Sequence, residues 1–203
     1  MYKCDRKLFL GMELVRAGRL ETIIKERFDK GQRFSDLEAS ELIKGILQAV
    51  AYIHDRDIIH RDLKPSNILV MDKADFSTVK IIDFGLSENY VFHDSEVSQA
   101  GTLVYMAPEV ITKRRQITKS VDIWAVGIIM YEVLTGGGHP IWVDGEDTTT
   151  SFQKKLSKIS QIDPRPEWSW ISKNLFTRLT QIQCHQRYTA KEALQHPWVT
   201  RQK

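Results

Sequence analysis

The sequence predicts a mainly α-helical domain with a few short β-strands near its front. Three observations carry that expectation. Leu37, Leu42, Ile43, Ile46, Leu47, Val50 and Ile53 recur at helical spacing on one face. Residues 119–135 are apolar almost all round, the pattern of a helix buried at the centre of a domain. The β-type runs, by contrast, are short: KLFLGM at 7–12, Ile68-Leu69-Val70, and Val79-Lys80-Ile81-Ile82.

Each element has a local reason. Residues 7–12 read as a strand, and Val15-Arg16-Ala17-Gly18 as a turn. Ser35 and Glu38 form a capping box, so a helix begins there and should run to about His54. Ile58 to Asn67, with Pro65 and several polar residues, is a loop. Residues 83–106 lack clear periodicity, and a loop of that length in a compact domain is usually functional. After Gly136-Gly137-Gly138 the pattern weakens until helical segments near 151–160, 171–180 and 190–195. The last is opened by a second capping box, Thr189 with Glu192.

Composition sets outer limits. The chain has 203 residues, 29 Lys+Arg against 26 Asp+Glu, 42% hydrophobic and 27% charged residues. That usage excludes collagen-like, low-complexity and wholly disordered readings, and the length suffices for a sizeable core. The net charge of +3 is small and the longest basic block, Lys113-Arg114-Arg115, reads as a solvated loop. No nucleic-acid partner is therefore expected. The longest apolar stretch, Ile123 to Leu134, is too short to span a bilayer and contains Glu132, so no membrane association is expected either. The start, MYKCDRKLFLGMEL, lacks the shape of a signal peptide. Cys4 and Cys184 are the only cysteines and no zinc spacing is present. A reducing setting follows, cytoplasmic and extending to the nucleus.

The chemistry-bearing residues cluster in order. His60-Arg61-Asp62-Leu63-Lys64-Pro65-Ser66-Asn67 lies between the long helix and a short strand. Asp83-Phe84-Gly85 follows the next strand, Ala107-Pro108-Glu109 closes the long loop, and Asp122-Ile123-Trp124 opens the buried helix. A given tripeptide occurs by chance at roughly one position in 10⁴ at average residue frequencies. The ordered set, in matching local structure, is not coincidence. On these residues the chain resembles the C-terminal lobe of eukaryotic protein kinases. The segment Asp62-Leu63-Lys64-Pro65-Ser66-Asn67 is similar to the serine/threonine class. RLETII near residue 20, Arg187-Tyr188-Thr189-Ala190 and His196-Pro197-Trp198 resemble the calcium/calmodulin-dependent group. The residue roles that follow belong to this family's known phosphoryl-transfer scheme.

The resemblance implies a protein-kinase-like fold, with residues 1–199 a partial kinase domain. Within it, 1–15 would be the last strand and hinge of the N-lobe, 16–199 the C-lobe, and 200–203 a tail, the N-lobe being essentially absent. It implies a protein serine/threonine kinase that moves the γ-phosphate of ATP, with Mg²⁺, onto hydroxyls of protein substrates. Such transfer needs a carboxylate to accept or orient the hydroxyl proton, a cation at the migrating group, and hard oxygen ligands for Mg²⁺. By resemblance Asp62 and Lys64 are catalytic, and Asn67 and Asp83 hold metal. The backbone of Glu13 and Val15 would bond the adenine edge, and Leu69 would lie beneath the ring. Arg61 would grip a phosphate on the activation loop, at Ser98 or, failing that, Ser95. Thr102 would contact the catalytic pair. Glu109 would form a partly buried ion pair with Arg187, Asp122 would accept hydrogen bonds from the backbone of the His60–Asp62 segment, and His60 would be a packed core histidine.

There are departures. Upstream of Leu8 stand no glycine-rich loop, no strand lysine of the VAIK type and no partnering glutamate helix. A fragment of a full kinase is the favoured explanation, since Asp62, Lys64, Asn67 and Asp83 are all intact; a scaffold or interaction module without catalysis is the alternative. Arg19 and Ser66 stand where basophilic relatives carry acids, which argues against arginine-flanked targets. Cys184-His185-Gln186-Arg187 replaces the usual acidic DPxxR-type lead-in. Finally, Lys7 to Met12 would be an unpaired, apolar edge strand, so a chain that is poorly soluble or needs a chaperone or partner is expected.

Overall fold

A computed structural model describes residues 2–4, 7–9, 13–89, 103–112, 117–143 and 149–201. Its centre is α4 (Ser120–Thr135), in which every residue from Val121 to Tyr131 is buried. The helix carries no continuous polar stripe, so it can satisfy its surface only by being surrounded. It ends at Gly136, whose φ of 78° is left-handed and favours glycine.

Around α4 lie α2 (Asp36–His54), α6 (Trp170–Leu179) and, beyond α2, α7 (Ala190–Leu194) and α8 (Pro197–Thr200). The start of α2 is set locally: the Ser35 hydroxyl accepts from the Glu38 amide while Glu38 Oε2 accepts from Ser35 N at 2.8 Å. Arg27, in α1 (Leu20–Asp29), adds a bidentate pair to that glutamate and lies over the Phe34 and Phe76 rings. Its guanidinium, then the Ser35 hydrogen bonds, hold the Glu38 carboxyl down at about 2 despite partial burial. The end of the chain is pinned on the same helix. Ser40 Oγ donates to Trp198 O at 2.7 Å, and Trp198 Nε1 donates to Asp36 Oδ1 at 3.0 Å. Gly45 lets the segment at Ser77 approach: a Cβ on that glycine would stand 2.4 Å from the carbonyl oxygen of Ser77.

Among the described residues the strands form three small sheets. β1 (Tyr2–Cys4) pairs with β2 (Lys7–Phe9), antiparallel, with Tyr2 opposite Phe9. This corrects the expectation of an unpaired strand at 7–12: residues 2–4 supply its ladder partner, while residues 10–12 lie outside the described residues. β3 (Gly18–Arg19), β5 (Ile68–Val70) and β6 (Val79–Ile81) follow in that spatial order, Arg19 opposite Leu69 and Leu69 opposite Lys80. β4 (Ile58–Ile59) pairs with β7 (Glu88–Asn89). Thus the segment 58–67 begins with a short strand where a continuous loop was expected. The helices expected near 151–160, 171–180 and 190–195 are α5 (Thr149–Lys158), α6 and α7, and α8 starts separately at Pro197 with His196 as its cap.

Candidate active site

The β4–β7 and β5–β6 pairings bring two loops together. The first, His60 to Asn67, leaves β4 and ends in a 3₁₀ turn, Pro65–Asn67. The second begins at Asp83 after β6 and turns at Phe84–Leu86. Their link is direct: Ile82 N–H donates to Asn67 O at 2.9 Å. His60 makes a second link. Its Nδ1 accepts from Asp62 N at 3.3 Å, so its Nε2 carries the proton and donates to Ile82 O at 3.0 Å. The His60 ring also meets Phe84 edge-on at 4.9 Å. His60 is fully buried and is a positioning residue by this geometry.

Two residues here sit in left-handed backbone, Arg61 at φ 70° and Asp83 at φ 66°. Such conformations cost on the order of 1–3 kcal/mol and persist only when neighbours impose them. For Arg61 the restraint is Asp122, in the first turn of α4 and 1% exposed. Its Oδ1 accepts from Arg61 N and its Oδ2 from His60 N, both at 2.9 Å. His54, the last residue of α2, reaches the same Oδ2 with Nε2 at 2.8 Å. The rigid centre of the domain thus holds the loop by three hydrogen bonds on one carboxylate.

On that loop Asp62 is 8% exposed. Lys64 Nζ lies 2.8 Å from Asp62 Oδ2. Asn67 Nδ2 donates to Asp62 O at 2.9 Å and to Asp62 Oδ2 at 3.1 Å. With its NH₂ spent on Asp62, the Asn67 amide presents its oxygen on the opposite side. The Asp83 carboxylate is exposed and, among the described residues, accepts a long bond, 3.3 Å, from Gly85 N through one oxygen. An amide oxygen and a carboxylate tethered by the Asn67–Ile82 backbone bond are hard donors that suit Mg²⁺. Among the described residues no three His, Cys, Asp or Glu side chains gather into a metal cluster. An ion here would be held by Asn67, Asp83 and water, as Mg²⁺ tolerates well.

In the middle of the β5–β6 ladder, the Glu13 carboxylate pairs with Lys80, the residue opposite Leu69. Glu13 is exposed, and Val15 and Leu69 are half-buried. Glu13, through Lys80, and Leu69 therefore meet at the β5–β6 pair, two residues beyond Asn67. Ser95, Ser98 and Thr102 lie outside the described residues. Glu109, in α3 (Pro108–Ile111), receives both ends of the Arg187 guanidinium at 2.6 and 2.7 Å. Arg187 also donates to the carbonyls of Gln181, Ser120 and Ile182 and lies over the Trp124 ring.

Two features escaped the sequence. His54 read only as a helix end, and nothing local to it reveals its bond to Asp122. Tyr105 OH donates to Glu132 Oε2 at 2.8 Å, joining the turn Leu103–Tyr105 to α4. A lone carboxylate in an otherwise apolar helix was the available signal for that pair. Burial, reinforced by Glu21, raises the Glu132 carboxyl to about 7 even though the Tyr105 hydrogen bond opposes the shift. Burial and the same carboxylate push the Tyr105 phenol up.

A mainly helical lobe thus holds a loop pair that sets a braced carboxylate beside a cation and two hard-oxygen groups. Comparison with known proteins assigns the family: the protein kinase domain model matches residues 1–199, and the chain belongs to the protein kinase family. It is 38% identical over 196 residues to a calcium/calmodulin-dependent protein kinase type II alpha chain of Drosophila melanogaster, covering 94% of this chain and 35% of that protein. It is 37% identical over 204 residues to a calcium/calmodulin-dependent protein kinase type 1 of Macrobrachium nipponense, covering 98% of this chain and 56% of the relative. It is 34% identical over 203 residues to MAP kinase-activated protein kinase 2 of Cricetulus longicaudatus, with 98% and 60% covered. These are serine/threonine kinases of the calcium/calmodulin-dependent group, and the chain spans between about a third and three-fifths of their lengths. The family uses ATP and Mg²⁺ in general. No helix among the described residues is long and apolar enough to cross a membrane.

Proposed function

We propose that the chain carries the catalytic-loop lobe of an ATP- and Mg²⁺-dependent protein serine/threonine kinase. The observation that carries this reading is the Asp62 carboxylate, set against Lys64 at 2.8 Å and Asn67 at 3.1 Å on a loop braced by Asp122. Asp62 orients an incoming seryl or threonyl hydroxyl and takes its proton, work worth roughly 10²–10⁴ in rate. Lys64 offsets the negative charge of the migrating group. Asn67 and Asp83 hold the metal, and Glu13, Val15 and Leu69 hold the base. Mg²⁺-bound ATP, when present, supplies the phosphoryl group. The acceptors are proteins, and the setting is cytoplasmic, extending to the nucleus.

The test is transfer of label from γ-³²P-ATP to casein by the purified chain with Mg²⁺. Asp62→Asn should lower the rate at least about a hundredfold, the lower bound for losing a positioned base. Equal rates for the parent chain and Asp62→Asn would overturn the assignment of Asp62 and favour an interaction module.

A further inference from the structure

A cavity of about 370 Å³ lies where the last turn of α2, the first turns of α4 and residues 184–191 meet. That volume falls within the range of small-molecule sites, roughly 300–1,000 Å³. None of Asp62, Lys64, Asn67 or Asp83 lines it. Its inner surface is largely apolar: Ile123 and Ala190 are 1% and 2% exposed, and Ala51 and Tyr188 complete the wall. Two further lining residues have their polar ends committed elsewhere, His54 Nε2 to Asp122 and the Arg187 guanidinium to Glu109. They therefore add ring and methylene surface.

Apart from Arg187, whose guanidinium is paired with Glu109, the charged lining side chains are partly exposed, and two of the three are cations. The cations are Lys119 and Lys191, with Asp55 as the lining acid. Lys191 pairs with Asp55 at 2.7 Å and Lys119 with Asp57 at 2.6 Å, all four side chains being about a third or more exposed. Exposed pairs of this kind contribute only about 0–1 kcal/mol, so a competing anion displaces them cheaply. An ammonium also has three donors, of which Lys191 gives one to Asp55.

We propose that this cavity is a binding site for an amphipathic carboxylate. Its hydrocarbon part lies against Ile123, Ala51 and Ala190, and its head group lies between Lys191 and Lys119. Because His54 is both a cavity wall and the third partner of Asp122, the occupant touches the brace of the catalytic loop. Occupancy is measurable whether or not the chain transfers phosphate, so the site stands or falls apart from the kinase reading.

Cys184 lines the same cavity and supplies the readout. The full chain is alkylated with iodoacetamide, and the Cys184 peptide is quantified by mass spectrometry in the presence of decanoate, decanol or decyltrimethylammonium. Decanoate is expected to protect Cys184 at saturation, decanol more weakly, and the cationic amphiphile least. Lys119→Glu combined with Lys191→Glu should weaken decanoate protection about tenfold, because two attractive charges become repulsive. Ala51→Phe, which fills the cavity, should remove it, with urea midpoints confirming that each variant is folded. Equal protection by all three amphiphiles, protection by none, or decanoate protection that survives Ala51→Phe would overturn the proposal; the amphiphile comparison on the parent chain decides even if a variant fails to fold.

Discussion

Replacing Arg187 by Met removes one half of a fully enclosed ion pair. The Arg187 side chain is 0% exposed and that of Glu109 6%. Methionine fills much of the volume but leaves the Glu109 carboxylate buried and unpaired, a loss of about 3–5 kcal/mol. The carbonyls of Gln181, Ser120 and Ile182 lose a donor as well, which places the effect toward the upper end of that range. Domains of this kind have about 5–15 kcal/mol of stability in all. At about 2–4 °C per kcal/mol for chains of 150–250 residues, the melting temperature should fall by roughly 6–20 °C. Urea unfolding followed by circular dichroism gives the free energy directly. The double variant Glu109→Leu with Arg187→Met should lose clearly less than Arg187→Met alone, because it leaves no orphaned charge. A loss under about 1 kcal/mol for Arg187→Met, or a double variant that loses the sum of the singles, would refute this account of the pair.

Three further outcomes are expected. Gly45→Ala gains up to about 1 kcal/mol of helix propensity but puts a Cβ 2.4 Å from Ser77 O, an overpacking cost of about 1–3 kcal/mol, so urea midpoints should show net destabilisation. Glu132 has a folded-state pKa near 7, raised from its ordinary 4.5. Below 4.5 both states hold the proton; between 4.5 and 7 only the folded state does, so this contribution to stability falls as pH rises through that window. The total is about 3 kcal/mol at 1.36 kcal/mol per unit, and Glu132→Gln should flatten the unfolding free energy measured between pH 4.5 and 8. Asp122→Ala deprives the His60 and Arg61 amides of their acceptor, and hydrogen exchange at those two amides should accelerate selectively over the rest of α4 and α2.

What the sequence made legible was mostly local. Ser35 with Glu38 and Thr189 with Glu192 announce their helices because a capping box is complete within four residues. The run at 119–135 announces α4 because nothing but burial suits an all-round apolar helix. His60 to Asn67, Asp83 and Glu109 stood out as ordered motifs through their resemblance to protein kinases. The misses are long-range. β1 as the partner of β2, the two-residue pairing of β4 with β7, and His54 on Asp122 depend on which segments meet in space, and no periodicity encodes that. α8 was not anticipated as a helix, although Pro197 at a first helical position and His196 before it mark a start. Arg61 and Asp83 at positive φ carry no glycine to betray them; their conformation comes from Asp122 and the Asn67–Ile82 bond.

The most direct measurement is Mn²⁺ binding, read by water proton relaxation in the presence of ADP. Mn²⁺ stands in for Mg²⁺ on the same hard oxygen donors. Nucleotide should tighten Mn²⁺ binding to the parent chain, and Asn67→Ala and Asp83→Ala should each weaken it about tenfold or more, as loss of a ligand implies. Mn²⁺ affinity that is indifferent to nucleotide and unchanged in both variants would contradict the assignment of these two loops to one metal–nucleotide site.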